Sequence, residues 1–257
     1  MIGWRSLALV GFFLPVAAYA DWTISERRDF SSNALKVSEM RVADGAASAE
    51  VQLVYCSANK VRFQVVPNVD GRISGVREAV DRVRGIAGIN GGYFQSDLEP
   101  DGLLISEGAI VHPIVHAKLL SGVFLQRNGR PELKRVQELA GAKGLEEAIQ
   151  CGPFLVDNRR AVPGLNQDRI APRTFVFTGP SGIWGIGICR SVTLAELSRI
   201  LIDPKLIPGH PIVRALNFDG GSSTALYVPL QNRELISEER QVVGNYLVLR
   251  AIQGHKF

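Results

Sequence analysis

Two short apolar runs in this chain stop at a polar residue and a glycine pair, and no other pattern in it limits the fold so strongly. One is Ala215-Leu216-Asn217-Phe218-Asp219-Gly220-Gly221-Ser222-Ser223-Thr224, which continues as Ala225-Leu226-Tyr227-Val228. The other is Ile86-Ala87-Gly88-Ile89-Asn90-Gly91-Gly92-Tyr93-Phe94. Leu216 and Phe218 alternate with Asn217 and Asp219, which is the period of a β-strand. Ile86 to Asn90 is almost wholly apolar, as expected of a strand covered on both faces. A glycine pair permits backbone angles and close approaches that a Cβ forbids. The chain must therefore carry two strands into tight polar turns, and both turns are expected at one rim of a sheet.

The residues in these turns have chemistry of their own. Successive N–H groups at Gly220, Gly221 and Ser222 can form a concave anion site, with the hydroxyls of Ser222, Ser223 and Thr224 beside them. Asp219 places a carboxylate next to it. The plainer reading of the same residues is a turn in which Asp219 bonds its own backbone. Asn90 likewise reads either as a turn residue or as an amide for a sugar hydroxyl or phosphate oxygen. Tyr93 reads as core, or as an aromatic at the wet rim of a sugar pocket. Arg173, in Pro172-Arg173-Thr174, is either a surface ion pair or a bidentate phosphate clamp.

The remaining pattern is mostly strand. Residues 50–55 and 61–66 read as a hairpin joined across Ser57-Ala58-Asn59-Lys60. Residues 21–48 suggest one early strand and a loop. Val76, Ala79, Val80 and Val83 share one face of a helix ended by Gly85. Asn128-Gly129 between apolar runs signals a hairpin. Residues 145–149 read as one helical turn, and 162–171 as an irregular loop overhanging a site. Thr193 and Glu196 make a capping box ahead of a helix striped by Leu194, Leu197, Ile200 and Leu201. Residues 246–252 close the domain as a strand. The fold class expected is α+β: a single domain with a mixed twisted sheet or partly closed barrel and a few flanking helices.

The first twenty residues read as a secretory signal: Arg5, then apolar Leu7 to Leu14, then Ala18-Tyr19-Ala20 as a cleavage site. The apolar run is too short to span a membrane, so no stable insertion is expected after cleavage. This places the mature domain, 21–257 with a core of about 50–252, outside the cell or in a periplasm. Of 257 residues, 46% are hydrophobic and 21% charged, which rules out a disordered chain. After cleavage 28 basic residues face 25 acidic ones, a net charge of +3. That is mild and unclustered, with no basic stripe for nucleic acid. Cys56, Cys151 and Cys189 allow one disulfide and a free thiol, or three buried thiols. His112 and His116 would share a face on a helix, yet Pro113 and the missing acidic ligand favour a surface loop over a metal site.

INGGYF, Pro172-Arg173-Thr174 and NFDGGSS, in that order, resemble the phosphodiester glycosidase family. Cys151-Gly152-Pro153-Phe154-Leu155-Val156 and the helix at Thr193-Leu194-Ala195-Glu196-Leu197 are similar to its pattern too, so the resemblance spans about 50 to 250. The family includes an enzyme of the lysosomal pathway that removes N-acetylglucosamine from a phosphodiester on mannose. The resemblance implies a secreted hydrolase that frees a sugar from a small-molecule or polymeric glycosyl phosphodiester. It implies Asp219, Arg173 and Asn90 as catalytic residues. Gly91, Gly92, Tyr93, Thr174, Asn217, Gly220, Gly221, Ser222 and Ser223 are implied to bind substrate. Asp101 and Glu107 are candidates for a second carboxylate. Phe175-Val176-Phe177 departs from the small residues usual in the family and is expected to reshape a pocket wall. No cofactor or metal is implied, with calcium on the loop oxygens near Asp219 left open. The alternative is an envelope module that binds phosphosugar or cell-wall polymer without cleaving it.

Overall fold

A computed structural model describes residues 22–252 except 33 and 232, so the expected leader at 1–20 lies outside the described residues. The strands are β1 (Thr23–Ser32), β2 (Leu35–Asp44), β3 (Ala47–Ser57), β4 (Val61–Pro67), β5 (Ala87–Asn90), β6 (Leu104–Ser106), β7 (Ala109–His112), β8 (Gly122–Arg127) and β9 (Arg130–Arg135). They continue as β10 (Glu147–Cys151), β11 (Phe154–Asp157), β12 (Arg160–Ala161), β13 (Ala171–Thr178), β14 (Ile183–Val192), β15 (Arg214–Asn217), β16 (Leu226–Pro229), β17 (Glu234–Ser237) and β18 (Asn245–Ala251). Two α-helices are present among the described residues, α1 (Val76–Arg82) and α2 (Leu194–Leu201).

The strands form three sheets rather than one, and none closes into a barrel. The long sheet runs β1-β2-β3-β14-β13-β15-β11-β12, a second runs β7-β6-β10-β8-β9, and a third runs β17-β16-β5-β18-β4. The protein is therefore mostly β. Period-2 alternation marks a strand but says nothing about its partner, which is how the single-sheet expectation arose. The expected hairpin of 50–55 with 61–66 fails for the same reason. β3 pairs with β2 and β14, the 3₁₀ turn Ala58–Lys60 carries the chain across, and β4 pairs with β18 in another sheet. Residues 21–48 hold two ten-residue strands, not one strand and a loop. β1 is a polar edge strand, which hid its period. Residues 145–149 are not a helical turn either: β10 is central in its sheet, and Glu147 and Gln150 are buried with the apolar residues between them.

One aromatic from each sheet meets at the centre. Phe63 of β4 lies 5.1 Å from Phe124 of β8 and 5.7 Å from Trp184 of β14, ring centre to ring centre, and the latter two are 5.9 Å apart. Tilted and edge-on contacts of this kind suit the ring quadrupoles. A second core lies on the other face of the long sheet under α2, and α1 covers the third sheet. The capping box holds: Thr193 N–H donates to Glu196 Oε2 (2.8 Å) and Glu196 N–H to Thr193 Oγ1 (3.2 Å). The Asn128-Gly129 turn joins β8 to β9 with both residues left-handed, at φ 48° and 66°, as a hairpin's twist requires.

Phe175 and Phe177 do not wall a pocket. They are fully buried under α2 and lie opposite Gly187 and Gly185 across the β13–β14 pair. A Cβ at Gly185 would sit 2.2 Å from the Phe177 ring, and one at Gly187 2.7 Å from the Phe175 ring. The large residues on β13 fill the space that β14 leaves empty, a compensation within the sheet.

Candidate active site at the crossing between two sheets

β5 and β15 belong to different sheets, yet their C-terminal ends meet. Phe218 N–H donates to the Thr174 carbonyl (2.8 Å), and Asp219 N–H donates to the Gly91 carbonyl (3.1 Å). The 3₁₀ turn Gly221–Ser223 then leads into β16, which pairs with β5. Asp219 thus sits where the chain passes from the long sheet to the third. The two glycine turns come together here.

Asn90 holds the crossing shut. Its Nδ2 donates to the Asp219 carbonyl (2.8 Å), while its Oδ1 accepts from Thr174 Oγ1 (2.8 Å) and Ala225 N–H (3.0 Å). Asn90 is 1% exposed and Thr174 is fully buried. Of these two, Asn90 was expected to be catalytic and Thr174 to bind substrate; in the structure their polar atoms are engaged with the protein. The amides of Gly91 and Gly92, expected to bind substrate, are likewise engaged with the protein. Gly91 N–H donates to the Asn245 carbonyl and Gly92 N–H to Asn245 Oδ1, both at 2.8 Å. A Cβ on Gly91 would fall 1.9 Å from Asn245 Oδ1, so glycine is there for close approach. Asn245 was missed in the sequence. Its only signal is a polar residue opening a strand whose next four residues are apolar or aromatic.

The second turn is built differently. Gly220 N–H donates to Asp219 Oδ1 (2.8 Å), so the carboxylate caps its own turn and takes the place assigned to an external anion at that amide. A Cβ at Gly220 would meet the Pro172 carbonyl at 2.7 Å, and Gly221 is left-handed at φ 65°. Ser222 is half-buried, and its carbonyl accepts from Arg240 N–H (2.7 Å). Ser223 is buried, accepts from Gln241 Nε2 (2.8 Å), and its hydroxyl bonds the Asp219 carboxyl. Asn217 Nδ2 donates to the Gly152 carbonyl (2.9 Å) and Tyr93 Oη (3.1 Å). Asn217 Oδ1 and Thr224 Oγ1 are buried without a partner. Tyr93 is half-buried at the same place, its hydroxyl donating to Gly152 (2.7 Å).

Arg173 enters from β13, just after a slip in the β13–β14 register between Ala171 and Arg173. Such a bulge re-aims a side chain. Its Nε donates to the Val192 carbonyl (3.3 Å) and its Nη2 to the Arg169 carbonyl. Arg173 is 8% exposed and has no carboxylate partner among the described residues. Arg169, from the overhanging loop, was also missed in the sequence. Asn166 Oδ1 accepts its N–H (2.8 Å), and its Nη2 lies 3.9 Å from where a Gly221 Cβ would be.

Charge and burial act on each group. Burial pushes the Asp219 carboxyl above the usual carboxylate range. Asp101 adds to this, while Ser223, Gly220 and Arg169 oppose it. Burial, with Arg169 beside it, lowers Arg173, which stays cationic. Burial, Cys151 and Asp219 raise Tyr93, which stays a neutral hydroxyl. Asp101 reaches the site through its charge on Asp219, held by Gln95 Nε2. Glu107 does not: it lies in the β6–β7 turn against Gln64 (3.0 Å) and Glu147. A carboxyl raised by burial therefore shares one turn with a guanidinium that has no carboxylate partner among the described residues. That pair can donate a proton to a leaving group and hold its negative charge.

Other sequence features fall elsewhere. The three cysteines are buried and unpaired. His112 ends β7 with its Nδ1 3.0 Å from the Gly102 carbonyl, and His116 lies on an exposed non-helical segment. A cleft of about 750 Å³ beside α2 is not lined by Asp219, Arg173 or Tyr93. Among the described residues, no helix is long and apolar enough to cross a membrane.

A family model described as phosphodiester glycosidase matches residues 84–250, the part of the chain that carries both glycine turns, Arg173 and β18. No curated protein matches the chain in sequence. Among the solved structures that share its fold are three at 11–15% identity. A hypothetical protein from Synechocystis superposes with a TM-score of 0.59 at 14% identity, over 87% of this chain and 63% of the other, so this chain spans under two thirds of that protein. The catalytic domain of zebrafish N-acetylglucosamine-1-phosphodiester alpha-N-acetylglucosaminidase, auto-inhibited by its pro-peptide, gives 0.60 at 15% identity over 92% and 85%. A putative exported protein from Burkholderia pseudomallei gives 0.56 at 11% over 82% and 74%.

Proposed function

Because this chain belongs to the phosphodiester glycosidase family, we propose that it is an exported hydrolase that cleaves the bond between a sugar's anomeric carbon and a phosphodiester oxygen. One observation carries the reading. A buried Arg173 with no carboxylate partner among the described residues and a buried Asp219 flank the same glycine, with Gly220 against the Arg173 side chain and bonded to the Asp219 carboxylate. A desolvated cation without an anion is costly, and a phosphate oxygen supplies the missing partner.

In this reading Arg173 holds the phosphate. Asp219, whose carboxyl burial raises above its ordinary value, donates a proton to the leaving phosphate oxygen as the C–O bond breaks. Water forms the new bond to the anomeric carbon and loses its proton to a carboxylate. Asp101 is an acidic group whose charge acts on Asp219 and is assigned that part. Asn217 Oδ1 and Thr224 Oγ1, buried without partners, are assigned to sugar hydroxyls. Asn90, Thr174, Gly91, Gly92 and Asn245 position the two turns and do not touch substrate. The leader at 1–20 supports export to a periplasm or the medium. N-acetylglucosamine is the sugar to test first.

The test is hydrolysis of an N-acetylglucosamine 1-phosphodiester in oxygen-18 water, followed by mass spectrometry. Label in the sugar supports the reading, and label in the phosphate sinks it. Release of no product from a panel of such diesters would favour the binding-module alternative.

A further inference from the structure

Two arginines, not one, stand over the Gly220-Gly221 turn. Arg173 lies against Gly220: its Cα and Cδ are 3.7 Å from where a Cβ would be on that residue. Arg169 lies against the next residue, its Nη2 3.9 Å from the Cβ position of Gly221. The pair is built as a unit, because the Arg173 guanidinium donates to the Arg169 carbonyl and Asn166 Oδ1 fixes the Arg169 N–H. Among the described residues neither guanidinium has a carboxylate hydrogen-bonded or ion-paired to it. Asp219 feels the Arg169 charge, and its Oδ1 is engaged with Gly220. Ile170, between them in sequence, is 66% exposed, so the loop that carries Arg169 is open to solvent. One cation is therefore buried at the base of the turn and a second stands exposed at its mouth.

A single phosphodiester carries one negative charge and satisfies the inner guanidinium. The outer one then faces the leaving group, one phosphate further along. From this juxtaposition we propose that the site takes a sugar linked through a diphosphate, with Arg173 on the phosphate next to the sugar and Arg169 on the distal phosphate as the specificity-determining residue. This rests on the reading above for the identity of the site. The chemistry is common to nucleotide-linked and lipid-linked sugar diphosphates, and the test separates them.

The first measurement does not need turnover. Calorimetric titration of the full chain compares inorganic pyrophosphate with inorganic phosphate. Pyrophosphate should bind roughly tenfold to a hundredfold more tightly, the gain of one further charge-assisted contact. Arg169→Ala keeps the backbone carbonyl that Arg173 uses, and it should remove most of that margin. Arg169→Lys should restore part of it. Equal binding of the two anions by the wild type, or an unchanged margin in Arg169→Ala, overturns the proposal whether or not the protein is a hydrolase. The second measurement compares kcat/KM on a methyl N-acetylglucosamine 1-phosphodiester, UDP-N-acetylglucosamine and a farnesyl-diphosphate-linked N-acetylglucosamine in detergent. Arg169→Ala should lower kcat/KM at least about tenfold more on the diphosphates than on the monophosphodiester. A loss equal on all three would overturn the assignment of Arg169 to the distal phosphate. Whichever diphosphate the wild type prefers identifies the nucleotide or the lipid source.

Discussion

Removing the Asn90 side chain separates a structural role from a chemical one. Asn90→Ala deletes three bonds of 2.8–3.0 Å, to the Asp219 carbonyl, Thr174 Oγ1 and Ala225 N–H. The groups left behind are buried, and an unsatisfied buried polar group costs about 1–3 kcal/mol. Allowing for relaxation and shared partners, the loss should be roughly 3–5 kcal/mol, a large part of the about 5–15 kcal/mol that holds a domain folded. Urea unfolding should show the midpoint falling with the slope unchanged. Asn90→Asp keeps the acceptor for Thr174 and Ala225 but turns an oxygen toward the Asp219 carbonyl, so it should cost about 1–3 kcal/mol. Thr174→Val should cost about 1 kcal/mol alone and less in the Asn90→Ala background, because the two share one bond. If Asn90→Ala stays within about 1 kcal/mol of the wild type while turnover disappears, Asn90 acts on substrate and its structural role is refuted.

Other consequences follow from the same geometry. Asp219→Asn should lower kcat by roughly 10²–10⁴-fold with little change in thermal stability, and a loss of only a few-fold would remove Asp219 from the chemistry. Burial pushes the Glu147 carboxyl up to about 7, against its ordinary 4.5, although it accepts Val65 N–H at 2.8 Å. The folded state therefore binds that proton more tightly than the unfolded chain. This stability is complete below the unfolded value and is lost as pH rises through 7, by at most about 3 kcal/mol. Thermal melts should show the wild type losing stability over that window, and a Glu147→Gln variant that loses as much would refute the assignment. Thr193→Ala removes half of the α2 capping box and should cost about 1 kcal/mol in urea unfolding. The buried thiols, with Cys56 pushed up to about 12, should react with a disulfide reagent only after unfolding.

Some of this was open to inspection in one dimension, because it depends on near neighbours in the chain. The strand periods of β5, β8 and β13, the Asn128-Gly129 turn, the Thr193–Glu196 box and the Asp219-Gly220-Gly221 turn are local. Each is set by side-chain alternation or by backbone angles over a few residues. Partnership is not local. Nothing in residues 50–66 says that β3 and β4 belong to different sheets, and nothing in Glu147 or Gln150 says that they are buried. The roles within the site divide along the same line. A polar residue at a strand end looks alike whether it faces a ligand or a neighbouring turn. Only the crossing of two sheets decided that Asn90, Thr174 and the Gly91-Gly92 amides bond the protein. The same crossing left Arg173 without a carboxylate partner among the described residues, brought Arg169 over Gly221 and set Asn245 beneath Gly91. Hydrogen-bond partners more than a hundred residues apart are chosen by packing, so short-range pattern could nominate the two turns but could not say which of their atoms remain free for chemistry.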